Sequence, residues 1–384
     1  MYRDLKDYSE AIKYCEKVIA LAPEEAAPYL NLGAVYESQA DYDRAAHAYQ
    51  HALKLEPSHP KALNNLGKLC HLQGKTAEAV TYLKRALAVE PNYPLALNNL
   101  GVLLSDTGKK QDALTYLEKS YQLDPHNIST MYNLAGLYNS RNESEKAIAM
   151  LENVIETDPD HDPAHHMLAA IRGIQTETAP HQYVQEVFDR YAPRFDSHLQ
   201  DSLGYTAPFG LAKLVKAHLP ERTFTSALDL GCGTGLSGEA FQEFSSRLTG
   251  IDLSAEMLAR AGAKNIYTEL HCTDILTFLR ETTEDYDLFI SADVFIYLGA
   301  VDSFFKLVAQ KAASGGVVAC SIERDNSVED FSLRSSGRYA HNPIYLEETA
   351  GKYGFSLLIN QDHNLRKEER QWIKGDLYLF QFSH

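Results

Sequence analysis

The chain has 384 residues, enough for two or three domains, and its 45% hydrophobic and 23% charged content is that of an ordinary globular protein. A net charge of −16 argues against nucleic acid as a partner, because that affinity rests on Lys and Arg neutralising phosphates. The absence of a long apolar run argues against a membrane span, MYRDLKDYSE carries no hydrophobic signal core, and five scattered cysteines without a C-x-x-C pair point to a reducing cytoplasm rather than to disulfides or zinc.

From the N-terminus, Pro23, Pro57, Pro91, Pro125 and Pro159 recur every 34 residues. Leu32, Leu66, Leu100 and Leu134 keep the same step, as do Gly33, Gly67, Gly101, Ala135 and Ala169, and Ala11, Ala45, Ala79, Ala113 and Ala147. Small residues at two fixed points let paired helices approach closely, and the proline ends the second helix of each pair. NLGAVYESQADYDRAAHAYQHALKLEP resembles the tetratricopeptide repeat over its whole length. The resemblance implies an all-α solenoid over residues 1–175. Met1 falls partway through a unit, so the first unit is incomplete, which fits either a trimmed end or one covered by something else. Four units follow from Ala26 to His161, and a helix near Pro163–Gln175 closes the stack.

Asn31, Asn65, Asn99 and Asn133 precede the repeated leucine, on the helix that lines the concave face in this family. An asparagine amide has one acceptor and two donors and can grip a peptide backbone. The column resembles the asparagine ladder of the repeats in O-linked N-acetylglucosamine transferase, which implies a groove for a protein or peptide. The alternative is that these amides pack between neighbouring helices. The basic clamp of some family members is missing, since Leu30, Asn64, Asn98 and Tyr132 stand in its place, with Lys68 alone at a second position. The pairs His47/His51 and His161/His165 have the spacing of metal ligands on one helix face, but no third ligand is evident and no metal is expected.

After the polar join QTETAP (175–180) the period disappears. Strand-like runs at Ser226–Leu230, Leu248–Asp252, Asp287–Ala292, Gly316–Ile322, Phe355–Ile359 and Leu377–Phe382 alternate with helix-like stretches, which predicts an α/β domain over residues 176–384. The last two runs are joined by the polar segment Gln361–Asp376, which leaves no room for a packed crossover helix.

LDLGCGTGLSGEA (228–240) reads in two ways. From Gly233 it is G-x-G-x-x-G, a dinucleotide fingerprint; from Asp229 it is D-x-G-x-G-x-G. The first glycine of a dinucleotide turn comes directly off its strand. The strand SALDL ends at Leu230 and Gly231 opens the turn, which favours the second reading. Gly238 then lies inside the following helix. Asp252 ends the second strand, Asp274 the third (LHCTDIL) and Asp293 the fourth.

This set, in this order, resembles class I methyltransferases that use S-adenosyl-L-methionine and release S-adenosyl-L-homocysteine. The resemblance implies a Rossmann-like sheet with an antiparallel last strand. It assigns donor binding to Asp229, Gly231, Gly233, Gly235, Asp252, Leu253, Asp274, Ile275, Asp293 and Tyr191. YVQEVFDRYAPRFDSHLQDSLGYTAP (183–208) is similar to the lid helix of small-molecule methyltransferases. Tyr183, Tyr191, Phe195 and Tyr205 either cover the sulfonium, as aromatic faces suit a cation, or pack the helix on the sheet. In RSSGRYAHNPIYL (334–346), Arg338, Tyr339 and His341 join Tyr297 as residues facing the acceptor. His341 is the first candidate for a general base and Asp293 the second.

After the fourth strand, SADVF lacks (N/D)-P-P-(Y/F), which argues against adenine-N6 and glutamine methylation. It offers a single acid, which argues against a guanidinium acceptor, and no cysteine is placed for cytosine-C5 chemistry. The expected function is methyl transfer (EC 2.1.1.-) to a small molecule or a protein, with the repeats holding a polypeptide. The alternative is a repeat adaptor whose second domain binds the donor with little or no turnover.

Overall fold

A computed structural model describes residues 8–192, 195, 204–368 and 371–383, side chains of 190 and 191 excepted. The chain divides into two units, Met1–Pro159 and Asp160–His384.

The described part of the first unit is helical: α1 (Tyr8–Leu21), α2 (Ala26–Ser38), α3 (Tyr42–Leu55), α4 (Pro60–Leu72), α5 (Thr76–Val89), α6 (Pro94–Asp106), α7 (Lys110–Leu123), α8 (Ile128–Asn139) and α9 (Ser144–Thr157). Helices α2 and α3, α4 and α5, α6 and α7, and α8 and α9 pack as pairs. The periodic glycines are steric necessities. A Cβ on Gly67 would meet Leu83 Cγ at 2.7 Å, and one on Gly101 would meet Leu117 Cγ at 2.6 Å. The periodic alanines Ala45, Ala79, Ala113 and Ala147 are buried. In the asparagine column, Asn99 Nδ2 donates to Asn64 Oδ1 of the preceding pair at 2.9 Å, and Asn133 Nδ2 donates to Asn98 Oδ1 at 3.1 Å. Asn64 Nδ2 donates to Asn65 Oδ1 at 3.1 Å, and Asn31 is exposed.

The second unit opens with α10 (Asp162–Arg172), α11 (His181–Tyr191) and α12 (Ala207–His218). Then come β1 (Phe224–Leu230), α13 (Leu236–Phe241), β2 (Ser245–Asp252), α14 (Ala255–Ala263), β3 (Glu269–Cys272), α15 (Ile275–Glu281), β4 (Tyr286–Ser291), a 3-10 turn at Phe295–Tyr297, α16 (Asp302–Lys311) and β5 (Ala312–Glu323). The hairpin β6 (Phe331–Leu333) and β7 (Tyr339–His341), then α17 (Pro343–Lys352), β8 (Phe355–Glu368) and β9 (Gln371–Phe382) complete it. The sheet order is β3-β2-β1-β4-β5-β9-β8. The first five strands are parallel, and β9 runs antiparallel to both β5 and β8. Apolar side chains on both faces of β1, β4 and β5 fill two cores.

One element differs from expectation. Most of the connector Gln361–Asp376 belongs to β8 and β9, which stay paired as far as Glu368 and Gln371. Backbone pairing needs no apolar run, so a segment of mostly polar residues can stay paired along its length. Helix α10 falls within the second unit, where Ala169 and Ala170 pack with Tyr183, Val184, Tyr297, Leu333 and Tyr339. No helix among the described residues is long and apolar enough to cross a membrane.

Candidate active site

Strands β2 and β4 flank β1, so the order of connection reverses there and the carboxyl ends of these strands open a crevice. A cavity of about 560 Å³ occupies it, entirely within the second unit.

The turn Gly231–Thr234 forms one wall. Gly231 and Gly233 have φ of 79° and 53°, and a Cβ on Gly231 would strike Val294 Cγ2 at 2.6 Å, so only glycine suits this turn. Asp252 at the end of β2 fixes it: Gly233 N–H donates to Oδ2 and Ser254 N–H to Oδ1, each at 2.9 Å. Burial pushes this carboxyl's pKa up, against the pull of those backbone donors. Asp274 caps α15, accepting from Thr277 N–H at 2.8 Å, and its other oxygen lies 3.2 Å from His181 Nε2 on α11. Leu253, Ile275 and Leu276 supply apolar lining between the two acids.

Asp229 and Gly235 stand behind this wall and do not line the cavity. Gly235 has φ 91° and starts α13. Asp229 is buried; its Oδ2 accepts from the Tyr267 hydroxyl at 2.6 Å and its Oδ1 has no hydrogen-bond partner among the described residues. Burial pushes its carboxyl up to about 7; Tyr267 opposes the shift and Asp252 adds to it. Tyr267 also accepts from Gly238 N–H at 3.1 Å, and a Cβ on Gly238 would strike its hydroxyl oxygen at 2.5 Å. Gly238 therefore serves packing.

The facing wall holds Phe188, Phe195, Tyr205, Tyr297, Arg338 and, from β8, Arg366, Lys367 and Glu368. Tyr183 lies off the cavity against His166, ring centroids 4.6 Å apart. The Tyr191 side chain lies outside the described residues. Asp293 follows β4 with φ 61°, a left-handed conformation that is uncommon outside glycine but one that aspartate tolerates better than most residues. Its N–H donates to Ser321 Oγ at 2.8 Å, its Oδ2 accepts from Arg366 at 2.8 Å, and its Oδ1 is buried without a partner among the described residues. Arg366 also pairs with Glu323 and lies 3.5 Å from Glu368. Burial works against its charge, but Asp293 and Glu323 outweigh it and hold the guanidinium protonated. Arg338 pairs with Glu368 and reaches the Tyr297 hydroxyl.

Two acceptor-side expectations need correction. His341 does not line the cavity. It is buried in β7 with Nε2 at 2.8 Å from Leu298 O and 3.0 Å from Gly299 O, and burial pushes its imidazole down to about 4. It is a neutral donor to backbone carbonyls, out of reach of an acceptor. Tyr339 is likewise buried, its hydroxyl 2.5 Å from Thr176 Oγ1. Arg338 lies just before β7 and lines the cavity, whereas Tyr339 begins the strand and is buried.

Residues 227–316 match a family model described as a methyltransferase domain. Residues 1–58, 30–87, 61–126 and 104–171 match models described as tetratricopeptide repeats.

The chain joins tetratricopeptide repeats to a methyltransferase domain.

Among relatives, malonyl-[acyl-carrier protein] O-methyltransferase of Enterobacter lignolyticus (strain SCF1) is 36% identical over 80 residues, covering 21% of this chain and 30% of its own length. Trans-aconitate 2-methyltransferase of Deinococcus radiodurans is 42% identical over 57 residues, covering 14% and 22%. The chain thus spans less than a third of the length of these curated relatives. The N-methyltransferase NodS of Bradyrhizobium japonicum WM9, solved with S-adenosyl-L-homocysteine, is 20% identical, with a TM-score of 0.43 over 52% of this chain and 99% of its own. In the methyltransferase domain, the matched segment runs from β1 into β5 and so contains the glycine turn, Asp252, Asp274 and Asp293.

Proposed function

We propose that the methyltransferase domain binds S-adenosyl-L-methionine across the ends of β1, β2 and β3 and passes its methyl group to an acceptor on the Arg338 side. The observation that carries this is the joint between Asp252 and Gly233, which holds an acid and a glycine turn together on the wall of the cavity. Each Asp252 oxygen keeps a lone pair for ribose hydroxyls after its backbone bond. Asp274 would accept from the adenine amino group, with Leu253 and Ile275 against the ring. The donor supplies a methyl carbon on cationic sulfur. The chain's part is to align the partners and exclude water, and Phe188, Phe195 and Tyr205 form an aromatic wall that suits both tasks.

In this reading the repeats hold a protein or peptide, either acceptor or partner. The names of the two curated relatives include one protein-carried and one small-molecule acceptor, so both kinds stay within the proposal. All five cysteines are unpaired, which suits a reducing cytoplasm.

The test is isothermal calorimetry with S-adenosyl-L-homocysteine. The chain binds it, and Asp252→Ala weakens binding by about tenfold or more, the scale of a charge-assisted hydrogen bond. A wild-type chain that takes up no S-adenosyl-L-homocysteine sinks the proposal.

A further inference from the structure

The acceptor wall restricts the chemistry of its nucleophile. A nucleophile protonated at neutral pH needs a base within hydrogen-bond reach. Most of the described carboxylates, phenols and imidazoles near this wall are already paired or buried. Asp293 gives Oδ2 to Arg366 at 2.8 Å. Glu368 is paired with Arg338. Burial raises the pKa of the Tyr205 and Tyr297 phenols, so neither supplies a phenolate. Burial raises the Cys232 thiol in the same way. His181 lies with Asp274, and His341 is off the cavity beneath two carbonyls.

Cations meet on the same wall. The Lys367 ammonium lies 4.8 Å above the Trp372 ring and has no carboxylate partner among the described residues. Arg338 presents five donors in a planar fork, of which Glu368 and Tyr297 use part.

Resting on the methyl-transfer reading above, we propose that the acceptor is a carboxylate, seated by Lys367 and Arg338 and methylated on oxygen. A carboxylate is already ionised at neutral pH, its ordinary pKa being about 4, and it needs no base. An oxygen lone pair forms the new C–O bond as the donor's C–S bond breaks. The bonding pair leaves with sulfur, the sulfonium becomes a neutral thioether, the carboxylate becomes a neutral ester, and no proton moves. The ester no longer pairs with Lys367 or Arg338, which favours its release.

The full chain is incubated with S-adenosylmethionine tritiated in its methyl group and a cell extract, and the products are treated with mild alkali. Carboxyl methyl esters release volatile methanol, whereas N-methyl and ether O-methyl groups stay put. Volatile label is the expected result, and filtration before the alkali distinguishes a small acid from a protein carboxyl. Lys367→Met and Arg338→Gln each lower the volatile label by about tenfold or more with unchanged S-adenosyl-L-homocysteine affinity. Alkali-stable label overturns the carboxylate and leaves methyl transfer standing; failure to bind S-adenosyl-L-homocysteine overturns methyl transfer itself.

If the extract takes no label, a titration without turnover decides. Trp372 is the chain's single tryptophan. In the S-adenosyl-L-homocysteine complex, succinate changes its emission saturably, succinamide does not, and Lys367→Met removes the change. An equal response to both probes, or to neither, overturns the carboxylate seat.

Discussion

The imidazole Nε2 of His166 meets the carbonyl oxygen of Gly337 at 2.9 Å, across 171 residues of sequence. Gly337 has φ 79°, and a Cβ there would strike the Tyr183 hydroxyl oxygen at 2.5 Å and Met167 Sδ at 2.8 Å. Helices α10 and α11 therefore clamp the β6–β7 turn one residue before Arg338. Burial pushes the His166 imidazole down, against the pull of the Gly337 bond, so at neutral pH it stands as a neutral donor. His166→Ala leaves a buried carbonyl unpaired, at about 1–3 kcal/mol, and frees the turn. Methyl incorporation should fall with S-adenosyl-L-homocysteine affinity unchanged, and His166→Gln should restore part of the loss. Equal losses of donor binding and transfer would reduce His166 to a general stability role.

The same contacts bear on where the methyltransferase domain begins. Met167, Ala169 and Ala170 cover Tyr183, Leu333 and Tyr339. We expect a chain starting at Asp160 to unfold cooperatively, and one starting at Thr176 to melt several degrees lower because that cluster faces water. Scanning calorimetry compares the two; equal midpoints would return α10 to the repeats.

Asp229 gives a pH dependence. Its folded pKa of about 7 lies above its ordinary 3.8. Between these values the folded chain holds more protons than the unfolded chain, so stability is full below about pH 4 and falls as pH rises through about 7. The slope is at most about 1.4 kcal/mol per pH unit. Asp229→Asn keeps an oxygen for Tyr267 and cannot ionise. It should match wild type near pH 4 and exceed it above pH 7 in denaturant titrations. An unchanged slope would show that Asp229 ionises normally.

His341 has the opposite sign. Its folded pKa of about 4 lies below its ordinary 6.5, so its contribution is present above pH 6.5 and lost as pH falls through about 4. His341→Phe should cost about 1–3 kcal/mol at neutral pH by orphaning two carbonyls and should flatten the acid side of the curve. Donor affinity should not change, and a loss of donor binding without loss of stability would restore His341 to the site.

The glycine-turn wall of the cavity was legible because its chemistry is local. Gly231, Asp252 and Asp274 sit at strand ends, where a turn and an acid are adjacent in sequence. The facing wall was not. Arg366 stands in the run RKEER, which reads as a solvated charge cluster, and its burial makes sense only once Asp293 and Glu323 arrive from 73 and 43 residues away. Tyr267 carries no signal until it meets Asp229, 38 residues distant. Helical periodicity located α10 but could not say what its apolar face would cover, since period is a property of one segment and packing of two. The β8–β9 ribbon escaped because its pairing is made by backbone groups, which any residue except proline supplies, so its length leaves no side-chain pattern.

The asparagine rungs have a mechanical consequence. Asn99 bonds Asn64 and Asn133 bonds Asn98, so rungs tie the α4–α5 pair to α6–α7 and that pair to α8–α9. At the preceding boundary the matching position is Leu30, and the polar ties are a 3.4 Å hydrogen bond from Gln73 Nε2 to Asp43 Oδ1 and an ion pair between Lys68 and Glu37 with the lysine 48% exposed, contacts worth little in water. Stretched between its ends in an optical trap, the array should shed α1–α3 first, at the lowest force, and then hold until the rungs yield. Asn98→Ala should remove the second plateau, making a column of amides that looks like a reading surface act as a graded fastener.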